Sequence, residues 1–378
     1  MTAAAPESGF NLRRFLLSGT GWPYLLVPFI PIAIALELAH ADASIIFITS
    51  ALGVIPTAAL MGRATEELAA RSGPGIGGFL NVTFGNAPEL IIAFFALNEG
   101  LQEVVKASLI GSILGNILLV MGAAMFIGGR KRDRQYFDRT AANVTALMLL
   151  LAVAAMIMPA LFELVQGTGL PRPTAEAVDY GSTVEHLSLA VAIVLMLTYG
   201  AGLLFSLKTH RELFNPPYDK DEDVWGWSTR TSVIMLAIAG VAVGLMSEIL
   251  VGSITEASES IGLSQFFIGV IVVAIVGNAA EHWVAVLVAM KDKMDLSVNI
   301  AVGSSAQVAL FVVPFLVFAS FLIGDSPMAL VFNGFELGAV LVAVLAANYV
   351  TQDGESTWFE GVQLLAVYVM LAIVFGFA

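Results

Sequence analysis

Gly85-Asn86-Ala87-Pro88-Glu89 and Gly277-Asn278-Ala279-Ala280-Glu281 are two versions of one pattern. Each sets an amide and a carboxylate inside a strongly apolar stretch, and their glutamates lie 192 residues apart (281 − 89), about half of the 378-residue chain. A carboxylate at bilayer depth is costly and marks a functional site by default. Two in the same setting point to a duplicated ion site.

The surroundings are those of a membrane protein. The chain is 58% hydrophobic and 12% charged, with a mean hydropathy of +0.87; a soluble domain carries roughly twice that charged fraction. Apolar runs of about 20 residues recur, the length of a helix that crosses a bilayer, and the alternating ten-residue strands of a membrane barrel do not. The fold class is therefore an all-α polytopic membrane protein. With no cysteine, disulfides, thiolate metal sites and cysteine nucleophiles are excluded. A net charge of −13 argues against nucleic acid as a partner and for cations.

Eleven spans are expected, near 22–40, 44–64, 75–97, 104–128, 141–162, 183–206, 231–253, 266–290, 296–323, 328–349 and 357–377. With the N-terminus inside, 15 of the 17 Lys and Arg fall on inner segments, and only Lys106 and Arg172 lie outside. This bias favours a cytoplasmic N-terminus. Arg13 and Arg14 then act as a cytoplasmic anchor rather than an export signal.

The first span, within 1–43, stands apart. Residues 44–206 and 231–378 each hold five spans, joined by a linker at 207–230 that carries Asp219-Lys220-Asp221-Glu222-Asp223. Asn86 and Glu89 match Asn278 and Glu281 at the 192-residue offset, and Gly111-Ser112 matches Gly303-Ser304 at the same offset. Gly62 to Glu66 resembles Gly252 to Glu256 at 190. Five is odd, so the second set enters the membrane from the opposite side. Inverted repeats of this kind place substrate near the midplane.

Glu89 lies ~21 Å into its span at about 1.5 Å per residue, and Asn86 shares its helix face. Gly85 and Pro88 weaken the helix there, leaving carbonyls such as that of Phe84 as further cation ligands. Ser112, Ser304 and Gln307 form a second polar layer, asymmetric because Gln307 faces Gly115 at the repeat offset. His282 follows Glu281 and is a candidate to tune it or take its proton. Glu66 and Glu256 sit near opposite membrane faces as candidate vestibule residues. Glu37, Glu248 and Glu336 have no assigned place. Carboxylate, amide and hydroxyl oxygens suit a hard cation such as Ca²⁺; without thiolates or a histidine cluster, Zn²⁺ and Cu⁺ are poor fits, whereas Mn²⁺ remains open.

Residues 77–92 and 267–282, with Val302-Gly303-Ser304-Ser305-Ala306-Gln307, resemble the calcium/proton exchanger family of the cation/calcium antiporter superfamily. The resemblance implies one leading helix plus two inverted five-helix repeats joined by an acidic loop, with spans two and seven gating access. It also implies that Glu89 and Glu281 bind Ca²⁺ and protons in turn, with Asn86, Asn278, Ser112, Ser304 and Gln307 lining the site. Pro88 and Trp283 depart from the smaller or aliphatic residues expected there.

Two ionised glutamates carry −2 in a low dielectric, and either one Ca²⁺ or two protons neutralises them. A carrier that turns over only when neutralised swaps one for the other. The expectation is a secondary antiporter exchanging Ca²⁺ for H⁺, not an enzyme, with no cofactor beyond the transported ion. A Na⁺-driven or Mn²⁺-transporting exchanger of the same fold is the alternative. The lipid bilayer is its medium, a bacterial plasma membrane the expected location, and a homo-oligomer is compatible with such a chain.

Overall fold

The computed structural model describes residues 12–16, 18–167, 169–173, 178, 180–210, 226–323 and 326–378. The acidic run from Asp219 to Asp223 lies outside them. The described chain is a bundle of helices: α1 (Phe29–Leu38, entered through a 3₁₀ turn at Trp22–Leu26), α2 (Ala43–Arg71), α3 (Gly73–Gly85), α4 (Ala87–Asn98), α5 (Gln102–Gly129), α6 (Arg139–Gln166), α7 (Gly181–Thr209), α8 (Thr229–Ile261), α9 (Gln265–Met290), α10 (Met294–Ser320), α11 (Gly334–Val350) and α12 (Trp358–Phe377). Eight of them are long and apolar enough to cross a membrane; Trp22–Leu38, α4 and α11 are shorter apolar helices.

The ends of these helices are set by local chemistry. Asp42 caps α2 by accepting from the Ser44 N–H at 3.0 Å, and Ser228 caps α8 by accepting from the Thr231 N–H at 3.1 Å, each answering one of the donors a helix start leaves open. Capping boxes start α11 (Asn333 with Glu336) and α12 (Thr357 with Glu360). α8 stops at Gly262, whose φ of +76° is the left-handed turn glycine takes without strain.

α2 and α8 pack along much of their length. The densest core lies on α5 and α10, whose apolar windows are 78% buried. Four of the long helices carry a π-helical turn: Gly115–Val120 in α5, Phe205–Thr209 at the end of α7, Ile268–Val273 in α9 and Val308–Val312 in α10. Such turns expose backbone and often mark functional positions. α5 and the start of α9 approach closely at Gly111, where a Cβ would stand 2.1 Å from the Val270 carbonyl oxygen.

Loops that the charge bias assigns to one side touch one another. At the basic end a two-stranded ladder pairs β1 (Gln135–Tyr136) with β2 (Glu355–Ser356). There Arg134 meets Glu355 at 2.6 Å, Arg132 meets Asp292 at 3.2 Å, and Gln135 donates to Ala289 O at 3.0 Å. The exposed Arg134 guanidinium is held above its ordinary range, chiefly by its hydrogen bond to Glu355. At the opposite end Gln102 donates to Ser326 O and Lys106 to Val331 O, both at 2.7 Å. The stretch before α11 is neither helix nor strand, and residues 328–332 are buried. Its backbone is satisfied by side chains from three helices: Ser320 accepts from Met328 N–H, Ser188 accepts from Leu330 N–H, and Lys106 donates to Val331 O. Buried backbone without such partners would be strongly unfavourable.

Candidate ion site

The third expected span is broken. α3 ends at Gly85, Asn86 leaves the helix (φ −96°, ψ 19°), and α4 starts at Ala87 with Pro88 in its first turn. Glu89 thus sits at the third position of a helix N-terminus, which favours negative charge. The Phe84 carbonyl is not left free for a cation, as the proline suggested; it accepts from the Asn86 N–H. In α9 the equivalent residues continue the helix through Glu281, because Ala280 keeps the donor that Pro88 lacks, and the irregularity comes earlier, as the π-helical turn.

The two motifs meet. A Cβ on Gly85 would stand 3.6 Å from Glu281 Oε1, and one on Gly277 would stand 3.4 Å from Glu89 Cγ. Each glutamate therefore lies against the glycine of the other motif, and the two acids share one chamber. Asn86 donates to Gln307 Oε1 at 2.6 Å, Asn278 to Ser112 Oγ at 3.2 Å and Ser304 to Glu281 Oε2 at 3.4 Å. All seven expected ligands are brought together in this way. Asn86 Oδ1, Asn278 Oδ1 and Glu89 Oε2 are buried without hydrogen-bond partners. Two such amide oxygens beside the two carboxylates are the donor types a hard cation takes. Among the described residues no three His, Asp or Glu side chains form a metal-holding group, so amide and hydroxyl oxygens must complete any coordination. A cavity of about 10 Å³ adjoins Glu89, bordered by Ser108, Ser112, Val273 and Ala274 among others; that is room for about one water-sized group.

His282 is partly buried, with Nε2 unpartnered, and its ring lies over Gly115, 3.7 Å from where a Cβ would be. Glu66 and Glu256 are not part of the chamber. Glu66 is exposed and pairs with Arg63 at 3.2 Å, and Glu256 is exposed near the far end of α8. Glu67, next to Glu66, is fully buried; it pairs with Arg63 at 3.2 Å and accepts from the Trp227 N–H at 3.0 Å. Two polar residues at the site were not on the expected list. Ser108 borders the Glu89 cavity, and Asn116 is buried with Nδ2 unpartnered. Both lie four residues from Ser112, on the same face of α5, and that spacing was the available signal.

Residues 43–208 and 231–377 match the sodium/calcium exchanger protein family. The chain belongs to that family. Exchanger relatives align over nearly the whole chain. It is 46% identical over 371 residues to a Ca(2+)/H(+) antiporter of Aphanothece halophytica, covering 93% of this chain and 95% of that one. It is 43% identical over 350 residues to the Ca(2+)/H(+) antiporter ChaA of Bacillus subtilis (strain 168), covering 92% and 96%. The solved structure of native YfkE superposes with a TM-score of 0.80 at 40% identity, over 94% of this chain and all of that one.

Proposed function

We propose that this chain is a Ca²⁺/H⁺ antiporter of the sodium/calcium exchanger protein family. The observation that carries the mechanism is the reciprocal seating of Glu89 and Glu281 in one chamber, beside two buried amide oxygens without partners. The ion pair it would exchange follows from relatives at 43–46% identity, which are named for Ca²⁺ and H⁺; those names give the Na⁺-driven alternative no support.

Glu89 and Glu281 take Ca²⁺ or two protons in turn, since either load cancels their charge. Asn86, Asn278, Ser112, Ser304 and Gln307 complete the oxygen set, and His282 tunes Glu281. Glu66 and Glu256 gather cations at the two mouths. The chain crosses the membrane eleven times, with α3 and α4 together making one broken pass. Residues 44–206 and 231–378 are inverted five-helix repeats, linked at 207–230, after a leading segment at 1–43. Two features support this layout: the family match falls in two stretches with nearly these bounds, and the π-helical turns of α5 and α10 coincide at the 192-residue offset. The basic end faces the cytoplasm of a bacterial cell, with the protein in the plasma membrane, and no enzymatic step is involved.

Purified protein in liposomes tests this. A pH gradient should drive Ca²⁺ uptake that collapses with an ionophore for protons and does not require Na⁺. Glu89→Gln and Glu281→Gln should each abolish it. Transport unchanged in either variant, or dependent on Na⁺, refutes the reading.

A further inference from the structure

Among the described residues, the basic end carries positive charge that no carboxylate answers. In the run Arg130-Lys131-Arg132-Asp133-Arg134, Arg132 pairs with Asp292 and donates to Gly128 O at 2.6 Å, which caps α5, and Arg134 pairs with Glu355. Arg130 and Lys131 are exposed and make no ion pair with any described residue. The Arg130 guanidinium lies over the Phe126 ring, 6.0 Å from its centroid. Lys291 and Lys293 flank Asp292 in the turn that Gln135 holds, and they too are exposed and unpaired. Asp133 is the exposed acid of the run, and it leaves positive charge in surplus.

Aromatic rings stand beside these cations. The end of α5 meets the start of α12 closely: a Cβ on Gly129 would stand 2.9 Å from the Trp358 backbone nitrogen. Arg130 follows directly on that meeting point. Trp358 is 46% exposed and Phe359 55%, with their rings edge to face at 5.8 Å. Both α5 and α12 are long and apolar enough to cross a membrane, so each leaves the hydrocarbon here. Exposed Trp at such a level sits among lipid headgroups, and a guanidinium beside it faces their phosphates. The acid nearest in sequence on α12 is Glu360. It is engaged in the cap, where its Oε2 accepts from the Thr357 N–H at 2.6 Å and from the Thr357 hydroxyl at 2.9 Å.

We propose that Arg130 and Lys131, with Trp358 and Phe359, bind the headgroup of an anionic phospholipid at the basic face. The guanidinium offers paired donors to one phosphate, and the Lys131 ammonium supplies a second charge. The two rings pack on the glycerol and the upper acyl chain. A zwitterionic lipid carries its own cation and gains less from this pair. The bound lipid clasps the end of α5, the helix of Ser112, to the start of α12. The site goes beyond the transport reading: it rests on α5 and α12 crossing the membrane and not on which ion is carried.

Native mass spectrometry of the purified protein, released from micelles with equal phosphatidylglycerol and phosphatidylcholine, tests it. The wild type should retain phosphatidylglycerol in preference. A basic side chain at a membrane surface is worth about fivefold in such binding. Arg130→Gln/Lys131→Gln should therefore erase the preference, a change of up to about 25-fold. Arg172→Gln, which removes one charge from the other end, should leave it intact. Phosphatidylglycerol should also raise the Tm of the wild type in detergent and not that of the double variant, while inorganic phosphate raises neither. Equal retention of the two lipids by the wild type, an undiminished preference in the double variant, an equal loss in Arg172→Gln, or a rise in Tm with inorganic phosphate alone overturns the proposal. If the double variant is unstable, Lys131→Gln alone must still lower the preference about fivefold. Ca²⁺ flux is read separately in liposomes, so failure here leaves the transport reading untouched.

Discussion

Paired cysteines can test which way the chamber opens. Residues matched at the 192-residue offset sit in different surroundings. Ile268 is 0% exposed, whereas Ile76 is 63% exposed; Ala107 and Val273 are buried, whereas Asn299 and Asn81 are exposed. The start of α9 is packed onto α5, while α3 and α10 make no comparable contact. The repeats are thus packed more tightly at the end opposite the basic one than at the basic end, the cytoplasmic end in the proposed topology, as in a carrier closed to the outside. Alternating access requires the reverse arrangement to exist as well. The chain has no cysteine, so any disulfide is an introduced one. A Cβ on Gly269 would stand 3.0 Å from the Ala107 Cβ, within about half an ångström of the ~3.5–4.5 Å that a disulfide takes. Ala107→Cys/Gly269→Cys should therefore cross-link readily and hold the outer seal shut. Ca²⁺ flux should then fall to roughly the uncross-linked fraction, ~10% at about 90% cross-linking, and recover on reduction, because a locked carrier exchanges nothing. Val273 and Ser108 border one cavity, and their equivalents are Asn81 and Ile300. Asn81→Cys/Ile300→Cys should cross-link only when the protein turns outward, and should fail once the first pair is locked. Wild-type flux through the cross-linked first pair, or both disulfides in one molecule, would refute the two-state assignment.

Other outcomes follow from single contacts. Gly111→Val puts a side chain where a Cβ already lies 2.1 Å from the Val270 carbonyl oxygen; overpacking of this kind costs about 1–3 kcal/mol, and an unchanged Tm in detergent would contradict it. Ser188→Ala strips the Leu330 N–H of its acceptor, a loss of about 1–3 kcal/mol, again read as Tm. Tyr180 should remain un-ionised at pH 10, seen as ultraviolet absorbance that Tyr180→Phe leaves unchanged at that pH. Its hydroxyl is raised above an unfolded value of about 10, so the stability it confers is present below that pH and lost above it.

Periodicity and the paired motifs made the helical fold and the gathering of seven acidic and polar residues legible, because both rest on residue type and spacing. The break at Asn86 followed from Gly85 and Pro88. The fate of individual charges was less legible. Lys106 was counted as an outer charge and is one of the most buried side chains; Glu67 went unnoticed and is buried against Arg63 and Trp227; Glu336 could not be placed and caps α11. Helix spacing offers Lys106 and Glu67 the partners Glu103 and Arg63, but the backbone groups that also hold these charges, Val331 O, Trp227 N–H and Asn333 N–H, leave no trace in it. The Phe84 carbonyl shows the same limit, since its donor depends on the local turn and not on the residue that Pro88 removed.

The departures from repeat symmetry inside the chamber are coupled. At the 192-residue offset Gly115 stands for Gln307, and Leu90 stands for His282. In one half the Gln307 amide oxygen takes the Asn86 donor; in the other, Asn278 turns to Ser112, because Gly115 offers no side chain. The space left over Gly115 holds the His282 ring. The glycine and the histidine are thus one exchange of volume, and the glutamine and the leucine are its counterpart. Glu281 acquires a neighbouring imidazole and a serine donor, while Glu89 sits at a helix N-terminus beside an apolar residue. Two carboxylates in unlike surroundings hold their protons unequally, so the acids that share one load need not give up their protons in one step.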